Sequence, residues 1–87
     1  MERKTVVMKN QYTYNVAKEY DKSVFAETVS HLMKNIKNIM RSEYSEDPLD
    51  GNQIQVIKTP VGQIKIINDF EVGAVWVESE TNLDDVL

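Results

Sequence analysis

The clearest pattern of hydrophobic and polar positions is a helical stripe in the first half of the chain. Apolar residues recur there at alternating steps of four and three, and others widen the stripe: Phe25, Val29, Leu32, Ile36 and Ile39, with Val24, Met33 and Met40. This spacing is that of one face of an amphipathic helix. Asp21 and Ser23 are both suitable N-caps, whereas Pro48 and Gly51 oppose helix further on. The pattern predicts a long helix over residues 22–44.

Strand-like patterns lie on both sides of this helix. Residues 5–9 are rich in β-branched side chains and residues 12–16 alternate large apolar with small polar ones, which predicts a β-hairpin over residues 1–16. Residues 53–78 read as three strands, of which the first two are joined by Thr59-Pro60-Val61-Gly62, a sequence that suits a type I turn. The side chains expected to face the core are Val6, Met8, Tyr12, Tyr14, Ile54, Val56, Ile64, Ile66, Val72 and Trp76.

The element order β-β-α-β-β-β predicts an α+β fold, in which an antiparallel sheet has one long amphipathic helix packed on one face. A chain of 87 residues suits a single domain. We divide it into the hairpin of residues 1–16, the helix of residues 22–44, a three-stranded meander at residues 53–78 and an acidic tail at residues 79–87.

Charge is divided unequally between the two halves of the chain. Residues 1–41 carry eight Lys/Arg and four Asp/Glu, giving +4, whereas residues 42–87 carry two Lys/Arg and ten Asp/Glu, giving −8. A basic protein surface would be attracted to such carboxylates at long range, although they also serve plain solubility. The candidate partner-binding residues are Glu43, Glu46, Asp47, Asp50, Asp69, Glu71, Glu78, Glu80, Asp84 and Asp85.

Enzyme and cofactor signatures are missing from the sequence, which has no cysteine, three glycines and no phosphate-binding loop. The one histidine, His31, follows Glu27 by one helical turn, and a solvated helix residue is a simpler interpretation than a general base. The acidic segment after Asp47 lacks the glycine and the glutamate that a calcium-binding loop needs at its sixth and twelfth positions. We therefore expect no enzymatic activity, no cofactor and no metal.

No apolar run approaches the roughly 20 residues needed to cross a membrane. The first nine residues also lack the apolar segment of a signal peptide. These observations predict a cytoplasmic protein that does not associate with membranes.

Self-association into a homodimer is expected from three features, of which the first is the opposite net charge of the two halves of the chain. The last strand has apolar residues on both faces at Val75, Trp76 and Val77, and the tail ends in apolar positions that include Leu83 and Val86. Closed two-fold dimers commonly cover such surfaces.

Two stretches resemble small proteins of phages that infect Gram-positive bacteria. They are residues 7–14, VMKNQYTY, and residues 58–62, KTPVG, which lead to residues 66–78, IINDFEVGAVWVE. Some phage proteins made early in infection bind and disable a host protein, and among them are acidic DNA mimics, including one that blocks the histone-like protein HU. The resemblance implies an inhibitor in the host cytoplasm that presents an acidic, DNA-mimicking surface to a basic, nucleoid-associated host protein.

The alternative function is a small nucleic-acid-binding or regulatory module. Lys34, Lys37 and Arg41 lie on the polar face of the predicted helix, where they would contact phosphates. Because the chain is acidic overall, we expect no direct, tight binding of nucleic acid.

Overall fold

Six strands form one antiparallel sheet in the computed structural model, which describes residues 2–3 and 11–87. The elements in chain order are β1 (Glu2–Arg3), β2 (Tyr12–Ala17), α1 (Lys22–Asn35), β3 (Arg41–Glu46), β4 (Gln53–Thr59), β5 (Gly62–Asp69) and β6 (Ala74–Ser79). The strands lie side by side in the order β1-β2-β6-β5-β4-β3. The predicted α+β class with an antiparallel sheet and a helix is therefore confirmed, but the strand order and the length of the helix differ from the prediction.

The three strands predicted after the helix pair in sequence as β4, β5 and β6. The turn between β4 and β5 is fixed by Thr59, whose Oγ1 donates to the carbonyl oxygen of Gly62 at 2.9 Å and accepts from the Val61 amide at 3.2 Å. Gly62 has a φ of 145°, and a Cβ added there would lie 2.9 Å from the Cβ of Glu80. The predicted hairpin is confirmed, and only glycine suits its fourth position.

The N-terminal strands pair at the far side of β6. β2 lies antiparallel to β6 with a register shift between Asn15 and Ala17, and β1 pairs with β2 through Glu2 opposite Asn15. The strand predicted over residues 5–9 lies outside the described residues.

The helix α1 begins where it was predicted to begin but ends nine residues early. Asp21 is the N-cap, since its Oδ1 accepts a hydrogen bond from the Val24 amide at 3.0 Å. The prediction of helix to residue 44 is wrong, because α1 ends at Asn35 and the backbone of Asn38 turns into the left-handed region with a φ of 61°. Asparagine adopts that conformation more readily than most residues. Ile36, whose backbone is extended, and Ile39 still pack against the core beyond the end of the helix.

Residues 41–46 form the edge strand β3 in place of the second half of the predicted helix. Six residue pairs join β3 to β4, from Arg41 opposite Lys58 to Glu46 opposite Gln53. Every β3 side chain is exposed, so the strand carries no alternation of apolar and polar residues that would reveal it in the sequence. Pairing with the neighbouring strand decides its structure, as is common where local propensity is weak.

The core lies between the sheet and α1, and the final residues also pack onto it. Its fully enclosed apolar side chains come from β2, α1, β4, β5, β6 and the C-terminal segment: Tyr14, Phe25, Leu32, Ile57, Ile64, Ile66, Val75, Val77 and Leu83. The prediction of core-facing residues is therefore confirmed for Tyr14, Ile64 and Ile66, whereas Val6 and Met8 lie outside the described residues.

Two of the predicted strand faces are wrong. In β4, Ile57 is fully buried while Ile54 and Val56 point to the opposite face and are more exposed. In β6, Val75 and Val77 are buried and Trp76 lies on the opposite face. The strand begins at Ala74, because residues 70–73 form a turn that leaves Val72 exposed. Side chains alternate between the two faces of a sheet, so an error in the face of one residue places every other residue of that strand on the wrong face as well.

Candidate functional site

Three connections between secondary-structure elements meet at one end of the sheet, and we call them together the loop end. They are residues 18–21 between β2 and α1, residues 47–52 between β3 and β4, and residues 69–73, which run from the last residue of β5 to the start of β6. The Phe70 amide donates to Asn52 Oδ1 at 2.7 Å, and the Tyr20 hydroxyl donates to the Gly51 carbonyl oxygen at 2.7 Å. The rings of Tyr20 and Phe70 meet edge to face with their centroids 5.4 Å apart. These contacts tie the three connections into one surface.

Two of these connections are built on the same pattern, an aspartate followed four residues later by glycine. Asp47 and Asp69 each accept a hydrogen bond at their carbonyl oxygen from that glycine's amide, at 2.8 Å from Gly51 and 2.9 Å from Gly73. Their Oδ1 atoms also accept hydrogen bonds within the turn, at 2.8 Å from the Leu49 amide and 2.9 Å from the Val72 amide respectively. Both glycines have a positive φ, 73° and 71°. The two aspartates therefore shape the turns as well as adding charge.

Each of the two turns presents large apolar side chains to solvent. Leu49 is 92% exposed in the first turn, and Phe70 and Val72 are 62% and 66% exposed in the second. Phe70 and Val72 fall within the three strands predicted over residues 53–78, and Leu49 lies in the predicted loop before them. The repeated spacing of aspartate and glycine in residues 47–51 and 69–73 is the signal that marks these residues as turn tips.

The loop end and the residues that flank it are strongly acidic. Two lysines oppose seven carboxylates there, which gives a net charge of −5: Lys18 and Lys22 against Glu19, Asp21, Glu46, Asp47, Asp50, Asp69 and Glu71. The carboxylates of Asp50 and Glu71 are both exposed. Part of the negative charge of the second half of the chain is thus concentrated at one end of the molecule.

A chain of hydrogen bonds beneath the loop end joins the start of α1 to the edge strand. The Asp21 amide donates to Asn68 Oδ1 at 3.0 Å, and Asn68 Nδ2 donates to Gln53 Oε1 at 2.8 Å. Gln53 Nε2 then donates to the Tyr44 hydroxyl oxygen at 3.0 Å, and that hydroxyl donates to Glu46 Oε1 at 2.7 Å. Asn68 is fully buried, so water would not readily replace its bond to Gln53 if that bond were lost. The chain of bonds links three neighbouring strands, β5, β4 and β3.

Tyr44, at the exposed end of this chain, remains a hydroxyl donor at neutral pH. The hydrogen bond from Gln53 lowers the pKa of Tyr44, but the bond to Glu46, desolvation and the charge of Glu46 outweigh it and raise the pKa above its usual value. Lys22 Nζ lies 3.8 Å from Glu46 Oε2 and lowers the pKa only slightly. The tyrosine thus serves as a link between Gln53 and Glu46.

Half of the predicted partner-binding carboxylates lie away from the loop end. On the outer face of the sheet, which is the face opposite α1, Glu43 is paired with Arg41, and Glu78 lies opposite Lys65 and accepts from Trp76 Nε1 at 2.9 Å. The other three follow β6, where Glu80 accepts from the Gln63 amide at 2.8 Å and Asp84 and Asp85 are exposed in the last turn. The ten residues therefore do not form one surface; Glu46, Asp47, Asp50, Asp69 and Glu71 are those brought together.

The basic helix face on which the alternative function rested is not formed. Lys34 lies in the last turn of α1, Lys37 lies in the bend that follows, and Arg41 lies in β3 beside Glu43. Because the helix ends at Asn35, these three cations do not share a helical face, and that part of the prediction is wrong.

The surfaces from which a homodimer was predicted are largely occupied within the chain. Val75 and Val77 belong to the core, and β6 lies between β2 and β5 in the sheet. Leu83 is buried, and Val86 and Leu87 pack against the core. The His31 ring reinforces this by donating from Nε2 to the Val86 carbonyl oxygen at 2.6 Å.

Comparison of the chain with protein-family models, with curated proteins and with solved structures gives no match. Within the described residues, no helix has the length and apolar character needed to cross a membrane. No three histidine or carboxylate side chains among these residues converge as metal ligands would. The candidate site therefore rests on the loop end itself.

Proposed function

We propose that this protein is a non-enzymatic binding protein that docks its loop end onto a basic protein surface. The observation that carries the proposal is the combination, on one end, of a net charge of −5 with three largely exposed apolar side chains, Leu49, Phe70 and Val72. Protein interfaces commonly have this composition, with apolar contacts at the centre and a polar rim.

The two components of the loop end support different stages of binding. Clustered negative charge accelerates the encounter with a basic partner and orients it, and this effect weakens as salt rises. Apolar side chains that enter a recess on the partner slow dissociation, since affinity differences mostly reside in the dissociation rate. Rigid turns lower the entropic cost of binding, and both turns are braced by their own aspartates.

The finer form of the proposal is an inhibitor of a nucleoid-associated host protein such as HU, in keeping with the resemblance to early phage proteins. The acidic loop end supports occupation of a basic, DNA-binding surface. Leu49, Phe70 and Val72, which we call the apolar tips, distinguish the loop end from DNA, whose phosphate backbone has no apolar side chains. We therefore propose that the carboxylates take the positions of phosphates, while Leu49, Phe70 and Val72 add contacts that DNA does not make.

Removing the apolar tips should weaken binding at least tenfold without unfolding the protein. Leu49→Ser and Val72→Ser together remove two exposed side chains, so the free energy of unfolding should change by less than about 1 kcal/mol, while loss of interface anchors typically costs more than about 1 kcal/mol each. Val61→Ser is the matched control, because Val61 is 73% exposed in the turn at the opposite end of the sheet. Bio-layer interferometry with the captured partner measures the dissociation rate of each variant.

A second pair of substitutions tests how the negative charge of the loop end contributes to association. Asp50→Asn with Glu71→Gln should slow association and flatten its dependence on salt, since neither carboxylate braces a turn. Asp85→Asn at the C-terminal turn is the control. An equal decrease of the association rate in the control and in the loop-end variant would mean that overall charge, and not this surface, attracts the partner.

The experiment that tests the proposal is capture from a Gram-positive bacterial lysate with the wild-type protein as bait, followed by mass spectrometry. We expect a basic, nucleic-acid-binding protein that duplex DNA displaces from the bait. Purified HU, titrated directly, tests the finer form. Failure to bind HU, together with capture of some other basic protein, would contradict the HU form and leave the docking surface standing; capture of acidic proteins alone would contradict both.

The alternative, direct binding of nucleic acid, is tested by a gel-shift titration of duplex and single-stranded DNA at low salt. We expect no submicromolar binding, because the basic helix face is not formed and the loop end repels phosphate. Submicromolar binding that is lost when Lys34, Lys37 and Arg41 are replaced by alanine would contradict this prediction.

A further inference from the structure

The edge strand β3 has an open side on which the described sheet ends. Among the strands of residues 2–3 and 11–87 it pairs with β4 alone, and all six of its side chains are exposed. The backbone N–H and C=O groups along an open edge are available to another strand. Charged side chains or an inserted proline often protect such edges. β3 has no proline, and two of its charged side chains, Arg41 and Glu43, are paired with each other.

The sequence around Ser42 is self-complementary when read against itself in the antiparallel direction. Arg41 and Glu43 flank Ser42 on the outer face of the sheet and form an ion pair. Met40 and Tyr44 flank these in turn, and both are among the large apolar side chains that remain exposed. The order is therefore apolar, basic, serine, acidic, apolar.

We propose that a second copy of this chain pairs with β3 along its open edge, antiparallel and centred on Ser42. Each Arg41 then lies directly opposite the Glu43 of the other copy, and each Met40 lies opposite a Tyr44. Within one strand Arg41 already neighbours Glu43, so the four charges form a square in which every neighbour has the opposite sign. Opposite charges placed across antiparallel strands stabilise the pairing.

Neighbouring registers lack this match. A two-fold axis normal to the sheet places the helix-side faces of both copies on the same side. Residues directly opposite each other then point to the same face, so a symmetric antiparallel pairing must be centred on one residue. Centring on Glu43 places two carboxylates opposite each other, which is unfavourable. Centring on Tyr44 places Glu43 opposite Ser45 and separates it from the arginine of the other copy.

The same arrangement covers apolar side chains on the helix side of the sheet. Tyr44 lies on that side, where its ring meets Phe25 with the centroids 6.2 Å apart. Met33 of α1 is also partly exposed. Since the axis keeps α1 of both copies on one face, Met40 and Tyr44 of the two strands meet in a row between the helices. This interface replaces the last strand and tail as the basis of a dimer, and it is separate from the loop end.

Charge reversal tests the proposed register directly. Arg41→Glu alone and Glu43→Arg alone each place like charges opposite each other, so each should raise the dissociation constant of the dimer about tenfold or more. An equimolar mixture of the two variants restores every opposite-charge pair and should associate about as tightly as the wild type. Sedimentation velocity at about 50 µM, where micromolar dimers remain associated, measures all four samples.

A wild-type protein that sediments as a single chain there would overturn the proposal. A dimer that neither single variant weakens, or a mixture that associates no better than its components, would overturn the register. Both side chains are exposed, so each variant should keep the far-ultraviolet circular dichroism of the wild type, and the mixture remains informative even where one variant is less stable.

A single-cysteine scan gives an independent readout, because the chain has no cysteine of its own. Ser42→Cys places two thiols opposite each other on the axis, at a Cα separation of about 4.5–5.5 Å that a disulfide spans. Ser45→Cys is the matched control, since its two copies lie about 20 Å apart in this register. Rapid disulfide formation by Ser42→Cys alone is expected; faster crosslinking of Ser45→Cys would contradict the register. Neither variant touches the loop-end tips, so failure here leaves the proposed function untouched.

Discussion

Replacing Leu32 by alanine should lower the free energy of unfolding by about 2–5 kcal/mol, the range for truncation of an enclosed leucine. Leu32 is fully buried and belongs to the core that lies between α1 and the sheet. Met33, the next residue, is 38% exposed, and Met33→Ala should cost less than about 1 kcal/mol. Urea melts of the two variants, followed by Trp76 fluorescence and circular dichroism, measure the difference.

The position of Ile36 makes this comparison a test of where the helix ends. Ile36 is only partly buried and stands at the C-cap, so Ile36→Ala should cost less than Leu32→Ala. A continuous helix to residue 44 would bury Ile36 and Ile39 as it buries Leu32. Equal losses at Leu32 and Ile36 would therefore contradict the observed end of α1.

Replacing Asn68 by alanine should destabilise the fold by about 2–4 kcal/mol, although only one polar side chain is lost. The change leaves the Asp21 amide and Gln53 Oε1 without their partner, and each unsatisfied buried group costs about 1–3 kcal/mol. The small cavity left behind adds to this loss. Denaturant melts at neutral pH measure the effect.

Gln55→Ala is the matched control for Asn68→Ala. Gln55 also carries an amide that bonds to a neighbouring strand, with Nε2 donating to Ser42 Oγ, but the bond is exposed. Because water replaces an exposed bond, the loss should be under about 1 kcal/mol. Equal losses in the two variants would mean that the chain of hydrogen bonds from Asp21 to Glu46 contributes no more than a surface contact.

Elements with an apolar side chain at every second position, or with a capping residue, were predictable from sequence. The N-cap at Asp21 and the hairpin through Thr59 and Gly62 follow from local chemistry that the fold does not override. The helix end was not predictable in the same way, because Ile36 and Ile39 continue the helical spacing but pack against the core from positions beyond the end of α1. β3 has no apolar face, so only its partner strand reveals it.

The faces of β4 and β6 depended on tertiary context. Both strands carry apolar residues on each side, so alternation alone did not choose between Val75 and Trp76, or between Ile54 and Ile57. Burial of the Gln53 amide decides the face of β4, since that amide finds partners in Asn68 and Tyr44 on the helix side. Sequence patterns assign polar residues to the solvent side of a strand, and they therefore do not predict a glutamine that is buried because its amide is hydrogen-bonded.

The candidate site was predictable in its charge but not in its location. Carboxylates distant in sequence, such as Asp47 and Asp69, come together because both turns lie at the same end of β4 and β5. Others, such as Glu78, are balanced by a neighbour that only the strand register reveals. The apolar tips were missed because Phe70 and Val72 alternate as strand residues do, although they belong to a turn.

The most direct test of the loop end as a docking surface is a nuclear magnetic resonance footprint. Isotope-labelled protein is titrated with the basic protein that it captures, and amide shifts and broadening are followed along the chain. We expect the largest changes in residues 47–52 and 69–73, and they should disappear in the Leu49→Ser, Val72→Ser variant but persist in Val61→Ser. Changes confined to the outer face of the sheet, around Lys65 and Glu78, or to residues 82–87, would contradict the account.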